Sequence, residues 1–255
     1  MKLTSIANVV LVSGLLSATA LTAQAAPVAA DATTVVLVHG AFADGSSWDL
    51  VIPLLQAKGL KVVAVQNPLS SLADDVAATQ RVVDAQTGKV VLVGHSWGGT
   101  VITQAGTSDK IKALVYVAAF APSEGEATAT LGKDYAVPAG IATLQMDAGG
   151  YLWLPTDSVA KNFAQDVSPA TAALIAATQG PISAKAFGDT TTVAAWRTKP
   201  SYYIVSTNDR MIAPELEQAF AKKINAITTS LPTSHVSMLS QPEKVAEVIF
   251  AASQR

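Results

Sequence analysis

KVVLVGHSWGGT, residues 89–100, runs from a short apolar stretch into Gly94-His95-Ser96-Trp97-Gly98 and leaves through residues able to open a helix. Val90–Val93 suit a buried strand. The five residues after it form a G-x-S-x-G turn between strand and helix, so sharp that its serine is held in a strained conformation with the hydroxyl lifted off the sheet edge. Glycines flank it because a side chain at 94 or 98 would collide with the neighbouring strand or helix. The pentapeptide alone is common; between Val-Val-Leu-Val and Gly-Thr-Val-Ile it is specific.

Outward from this turn the chain alternates. Thr33–His39 is a β-branched run of the kind found in strands buried on both faces. A loop at 40–46 leads to a helix around Trp48–Lys58, with Ser46 or Ser47 as its cap and Gly59 as its stop. Lys61–Gln66 is the next strand. Ser71-Leu72-Ala73-Asp74 resembles a capping box opening a helix to about Gln86. After the central turn come a helix to Gly106 and a strand at Ile111–Ala119. Alternation stops after Pro122 and resumes with Tyr202–Ser206, a helix at Pro214–Ile224, a strand at Ala226–Ser230 and a closing helix at Pro242–Ala251. The expected fold is α/β, a mostly parallel central sheet flanked by helices. A small, mainly helical cap is inserted at about 123–199, with helical pieces near 158–165 and 169–177. Residues 31–255 read as one domain.

The 255 residues are 50% hydrophobic and 14% charged, with a net charge of −2. This supports one sizeable core and speaks against disorder and against nucleic acid as a partner. There is no cysteine, hence no disulfide and no thiol nucleophile, and three histidines are too few for a His-rich metal site. No cofactor and no metal is expected. At the N-terminus Lys2, the apolar run Ile6–Leu21 and Ala23-Gln24-Ala25 have the order of a cleaved secretory leader covering residues 1–25. A membrane anchor is the alternative, but the run is short and rich in Ala, Ser and Thr. A periplasmic or secreted protein with no stable membrane anchor after cleavage is therefore expected.

A serine hydroxyl needs a base to take its proton and a carboxylate to orient that base. His95 adjoins Ser96 on the turn and points away from it. His39, at a strand end, suits fixing a loop. His235, in a loop after the last short strand, remains as the base. For the acid, the order nucleophile–acid–base favours Asp209, just past the end of a buried strand. Asp157, Asp166 and Asp189 in the cap are the alternatives, while Glu215 and Glu217 read as surface residues of the next helix. Two backbone N–H groups, at Trp97 and Ala41, are placed to receive an oxyanion, which leaves both side chains free to shape a pocket. Losing one such donor costs about 3 kcal/mol in the transition state. Phe42, Phe120 and Met238 flank these motifs as candidate substrate-binding residues. Leu144, Met146, Tyr151, Leu152, Trp153, Phe163 and Phe187 of the cap are candidates for a roof, although ordinary packing explains each singly. Trp196 reads as structural.

Together, VVLVHGAFADGSSW (35–48), VGHSWGGTVI (93–102), LVYVAAFAP (114–122), residues 195–226 and SHVSMLSQPEKVAEVI (234–249) resemble the α/β-hydrolase superfamily. Within it they resemble the small-capped esterase branch that holds plant methylesterases, hydroxynitrile lyases and bacterial relatives. Position by position, the resemblance implies Ser96 as nucleophile, His235 as base, Asp209 as acid, and Ala41 and Trp97 as oxyanion donors. It implies hydrolysis of small, fairly apolar esters through an acyl-enzyme, with no cofactor; a homodimer is compatible with it. The lyases of this branch carry threonine after the strand-end histidine and lysine after the catalytic histidine, where this chain has Gly40 and Val236. A serine nucleophile also differs from the aspartate of haloalkane dehalogenases and most epoxide hydrolases. Perhydrolase activity, and a non-catalytic receptor on the same scaffold, remain as alternatives.

Overall fold

The structure, a computed structural model, describes residues 33–255; the expected leader and its cleavage site lie outside the described residues. In chain order the core begins β1 (Thr34–Val38), α1 (Val51–Gln56), β2 (Lys61–Ala64), α2 (Leu72–Asp84), β3 (Val90–His95), α3 (Trp97–Ala105) and β4 (Ile111–Val117). The inserted segment holds β5 (Gln145–Met146), β6 (Tyr151–Trp153), α4 (Thr156–Ser158), a π-helical turn at Val159–Phe163, α5 (Pro169–Thr178) and β7 (Ile182–Ser183). The core resumes with β8 (Ser201–Ser206), α6 (Pro214–Lys223), β9 (Ile227–Leu231), α7 (Ser237–Ser240) and α8 (Pro242–Ser253).

Six strands form one sheet in the order β2-β1-β3-β4-β8-β9, every neighbouring pair parallel. Val35–Val38 of β1 and Val90–Val93 of β3 are wholly buried, as β-branched runs covered by helices on both faces must be. Each such side chain contributes about 1.5–3 kcal/mol of burial. From β1 the chain steps outward to β2, then crosses back to β3 and proceeds the other way. The order therefore reverses between β1 and β3, and in open parallel sheets ligands bind beyond the strand ends at that reversal. Ser96 and the loop Gly40–Ala41 both lie there, one past β3 and the other past β1.

Local chemistry accounts for most boundaries. Ser71 Oγ accepts the Asp74 N–H, so Ser71 caps α2; the Asp74 carboxylate returns to the Ser71 hydroxyl rather than to its N–H, which makes half of the expected box. Gly59 has φ +80, the left-handed stop a glycine allows. Neither Ser46 nor Ser47 caps the first helix. A short 3-10 turn at Gly45–Trp48 precedes α1, and Asp44 caps it by accepting the Ser46 N–H at 2.7 Å. The cap contains, beside its helical pieces, an antiparallel sheet β5-β6-β7. Strands of two or three residues leave no periodic trace, so the Ala- and Thr-rich composition does not announce them.

Candidate active site

Ser96 has φ 52 and ψ −120, a left-handed backbone that costs a non-glycine residue about 1–3 kcal/mol. The turn is over-determined by its surroundings. The Ser96 N–H donates to the Val117 carbonyl, and the Ser96 carbonyl accepts from Gly99 and Phe120. A Cβ on Gly94 would stand 2.4 Å from the Gly98 carbonyl oxygen, and one on Gly98 2.5 Å from that of Val38. Close approach of backbone to backbone is thus why both positions are glycine. No side chain caps α3, so its leading N–H at Trp97 is left pointing out of the helix end, as the first amides of any helix are.

His235 and Asp209 come together beside this turn. Nδ1 of His235 lies 2.5 Å from Asp209 Oδ2, both side chains being buried. The other carboxylate oxygen, Oδ1, accepts the N–H groups of Met211 (2.6 Å) and Ile212 (3.0 Å). A carboxylate held this way accepts only, so Nδ1 carries the proton and Nε2 is left as the basic nitrogen. The cap acids take other places. Asp166 Oδ2 accepts the Ser234 N–H and braces the His235 loop. Asp189 Oδ2 accepts the Leu72 N–H at the start of α2, and Asp157 pairs with Lys161 at the surface. The Ser96 hydroxyl makes no hydrogen bond among the described residues. In substrate-free sites such contacts are often long and tighten only on binding.

The remaining histidines are structural and neutral. His39 Nε2 accepts the Asn67 N–H at 2.9 Å while Nδ1 donates to the Gly40 carbonyl at 2.8 Å. That fixes the loop carrying Ala41, and burial lowers the pKa of the ring. His95 donates from Nε2 to the His235 carbonyl at 2.9 Å, and its ring lies 4.7 Å from that of His235. Burial first, and then the nearby His235, hold His95 well below the ordinary histidine range. Phe163 packs on the ring of His235 at 5.2 Å and so walls that ring rather than roofing the cavity.

Two expectations are corrected. Glu217 is not on the surface: it is fully buried, and Oε2 accepts the Ser206 N–H at 2.9 Å. Burial and then the Asp209 charge raise it well above the usual carboxylate range, behind the His235–Asp209 pair. Nor is the Trp97 side chain free to shape a pocket. The ring is completely buried, its Nε1 donates to Asp75 at 2.7 Å, and Phe187 meets it edge-on at 5.3 Å.

A cavity of about 470 Å³ lies between the cap and the sheet edge. Phe120, Leu144, Leu152, Phe187, Met211 and Ile212 are among its walls, which are mostly apolar. It abuts the site at two points. Phe120 donates its N–H to Ser96, and Met211 and Ile212 donate theirs to Asp209. Phe42 and Met238 do not line it; both are buried in the core. Met146 points to solvent, while Tyr151 and Trp153 are half-buried outside the cavity. Trp196 donates to the Pro122 carbonyl and ties the end of the inserted segment to its beginning. Among the described residues no group of side chains is placed to hold a metal ion, and no helix is long and apolar enough to cross a membrane.

A family model described as "Alpha/beta hydrolase family" matches residues 35–248. The chain belongs to that family. "Probable hydrolase R7" of Phoma sp. is 28% identical over 84% of this chain and 96% of its own length. The "Pyrethroid hydrolase" of Sphingobium wenxiniae is 26% identical over 85% of this chain and 86% of its own. Polyneuridine aldehyde esterase, a solved structure, superposes with a TM-score of 0.75 at 20% identity, covering 87% of this chain and 99% of that one. At that identity the superposition speaks for the fold. The family and the relatives' names together support a hydrolase.

Proposed function

We propose that this alpha/beta hydrolase is an exported serine esterase acting on small, fairly apolar carboxylic esters. The observation that carries the reading is the His235–Asp209 hydrogen bond, buried beside a strained serine at the sheet's topological switch point. Ser96 Oγ attacks the ester carbonyl as His235 Nε2 takes its proton. The oxyanion is received by the N–H groups of Trp97 and Ala41. Collapse expels the alkoxide, which His235 protonates, leaving an acyl-Ser96. Water, deprotonated by His235, attacks that acyl carbon, and the serine leaves with the proton returned. Asp209 holds the productive tautomer throughout. The apolar cavity supports an apolar substrate limb, because such walls repay burial of hydrocarbon and penalise charge.

The lyase alternative of the same branch is disfavoured at two positions. A Cβ on Gly40 would come within 2.7 Å of Ser96 Cβ, so the threonine of those lyases has no room here. Val236 is buried and supplies no cation for a departing cyanide. The test is hydrolysis of short- and medium-chain p-nitrophenyl esters by the wild-type protein and by Ser96→Ala, with fluorophosphonate labelling of both. Turnover and a Ser96 adduct in the wild type alone are expected. No turnover in the wild type, or equal turnover in both, overturns the esterase reading.

A further inference from the structure

Asp75 is completely buried and lies outside the triad, on the first turn of α2. It has two partners, one per oxygen. Oδ1 accepts the Leu69 N–H at 2.7 Å and Oδ2 accepts the indole N–H of Trp97 at 2.7 Å. No cation pairs with it among the described residues. Of the charged groups nearby, Asp74 precedes it on α2 and Asp189 reaches in from the cap to the Leu72 N–H. The loop at Leu69 and the turn at Trp97 present no charge of their own. Burial pushes the Asp75 carboxyl up to about 6 against the pull of its two N–H donors. A buried carboxyl with no cation is costly to keep, and a loop acceptor for Leu69 alone does not require one.

The other oxygen has a specific task open to it. An ordinary helix start is fixed by a side chain that accepts its leading N–H groups. The start of α3 cannot be fixed that way if those N–H groups are to receive an oxyanion, and no side chain caps it. The side chain of its first residue is anchored instead. The indole is wedged edge-on against Phe187 and bonded to Asp75, two contacts that resist rotation of the first residue of α3. We propose that Asp75 is a positioning residue of the oxyanion hole, acting through the Trp97 indole. The proposal rests on the esterase reading above.

In that reading a small misdirection of one oxyanion donor lowers kcat while leaving ground-state binding nearly intact. Asp75→Asn places an amide N–H₂ against one of the two donors, and Trp97→Phe removes the indole donor while keeping an aromatic ring. Each is expected to lower kcat on a p-nitrophenyl ester about tenfold, with KM changed by less than about twofold. The double variant is expected to be no slower than the slower single, because both act on one bond. In Ser96→Ala protein the Trp97 indole ¹H–¹⁵N resonance should titrate with a midpoint near 6, and in Ser96→Ala/Asp75→Asn that titration should vanish. Unchanged kcat in both single variants with an active, Ser96-labelled wild type overturns this inference and spares the esterase. Additive losses, or losses confined to KM, overturn it as well. Should Asp75→Asn not fold, Trp97→Phe decides alone: full kcat, or a loss confined to KM, sinks the proposal. An inactive, unlabelled wild type removes the reading on which it stands.

Discussion

The sheet edge and the cap meet at one cavity but are built differently. At the sheet edge, Ser96, His235 and Asp209 are buried, and the backbone around them is fixed by hydrogen bonds from β4, α3 and the loop after β8. Apart from the ten-residue α5, the cap is assembled from short helical turns and strands of two or three residues, and Val137 (71%), Met146 (64%) and Leu174 (63%) stand in solvent. It touches the candidate site through Phe163 on the His235 ring, through Asp166 on the His235 loop and through its share of the cavity wall. On the esterase reading a misplacement of about 1 Å can cost about 10²-fold in rate, so the reacting groups belong on the stiff part. Recognition of an apolar limb tolerates adjustment, so the irregular part can carry it. The contrast predicts that kcat lives on one side of the cavity and selectivity on the other.

The sharpest way to break that division is at the triad. Asp209→Asn should lower kcat by about 10⁴-fold, because the amide reverses the tautomer of His235. Asp189→Asn in the cap should leave most of the rate intact. If Asp189→Asn is the slower enzyme in steady-state assays, the acid has been misassigned and the division with it. In stability the same asymmetry should appear between Leu92→Ala in β3 and Leu174→Ala on the exposed face of α5. Chemical denaturation should find a loss of about 2–5 kcal/mol for the first and less than about 0.5 kcal/mol for the second.

Smaller effects sharpen the comparison from the cap side. Leu144→Ala and Leu152→Ala should change the ratio of kcat/KM for long over short acyl chains by about tenfold, at nearly constant kcat on the shortest ester. A uniform fall in kcat for all chain lengths would show that these walls also position the reacting groups. The smallest change is expected from Glu217→Gln, whose amide oxygen can still accept the Ser206 N–H. The Glu217 pKa is raised in the folded protein, so between its unfolded value and its folded value the native state holds a proton that the unfolded chain has released. Stability from this group is therefore present at low pH and is lost as pH rises. Glu217→Gln should be more stable than the wild type at pH 8, with the difference shrinking toward pH 4. Equal pH dependence in the two proteins would mean that Glu217 is charged in the fold.

The sheet was legible because buried parallel strands are written as runs of valine, isoleucine and leucine, and because Gly-x-Ser-x-Gly has little other use between a strand and a helix. The scarcity of histidine singles out His235 as the proposed base. What escaped reading has a common form. Asp75 falls on the stripe Leu72, Asp75, Thr79, Val83 of α2, and Glu217 on the stripe Leu216, Glu217, Phe220, Ala221 of α6, both buried faces. An acid on the apolar stripe of an amphipathic helix signals a buried carboxyl with assigned hydrogen bonds. Read by residue type alone, each passes for a surface charge. The cap sheet escaped for another reason: its strands are too short to have a period. The cavity is likewise a product of cap and core residues scattered from 120 to 216, whose meeting no local pattern encodes.

The left-handed backbone at Ser96 sets fitness against foldability at a single residue. Glycine alone adopts that conformation without strain, so Ser96→Gly should melt at a higher temperature than the active protein while having no nucleophile. Selection for stability by itself would erase the hydroxyl. On the esterase reading, the hydroxyl at this turn is held against the stability that glycine would supply.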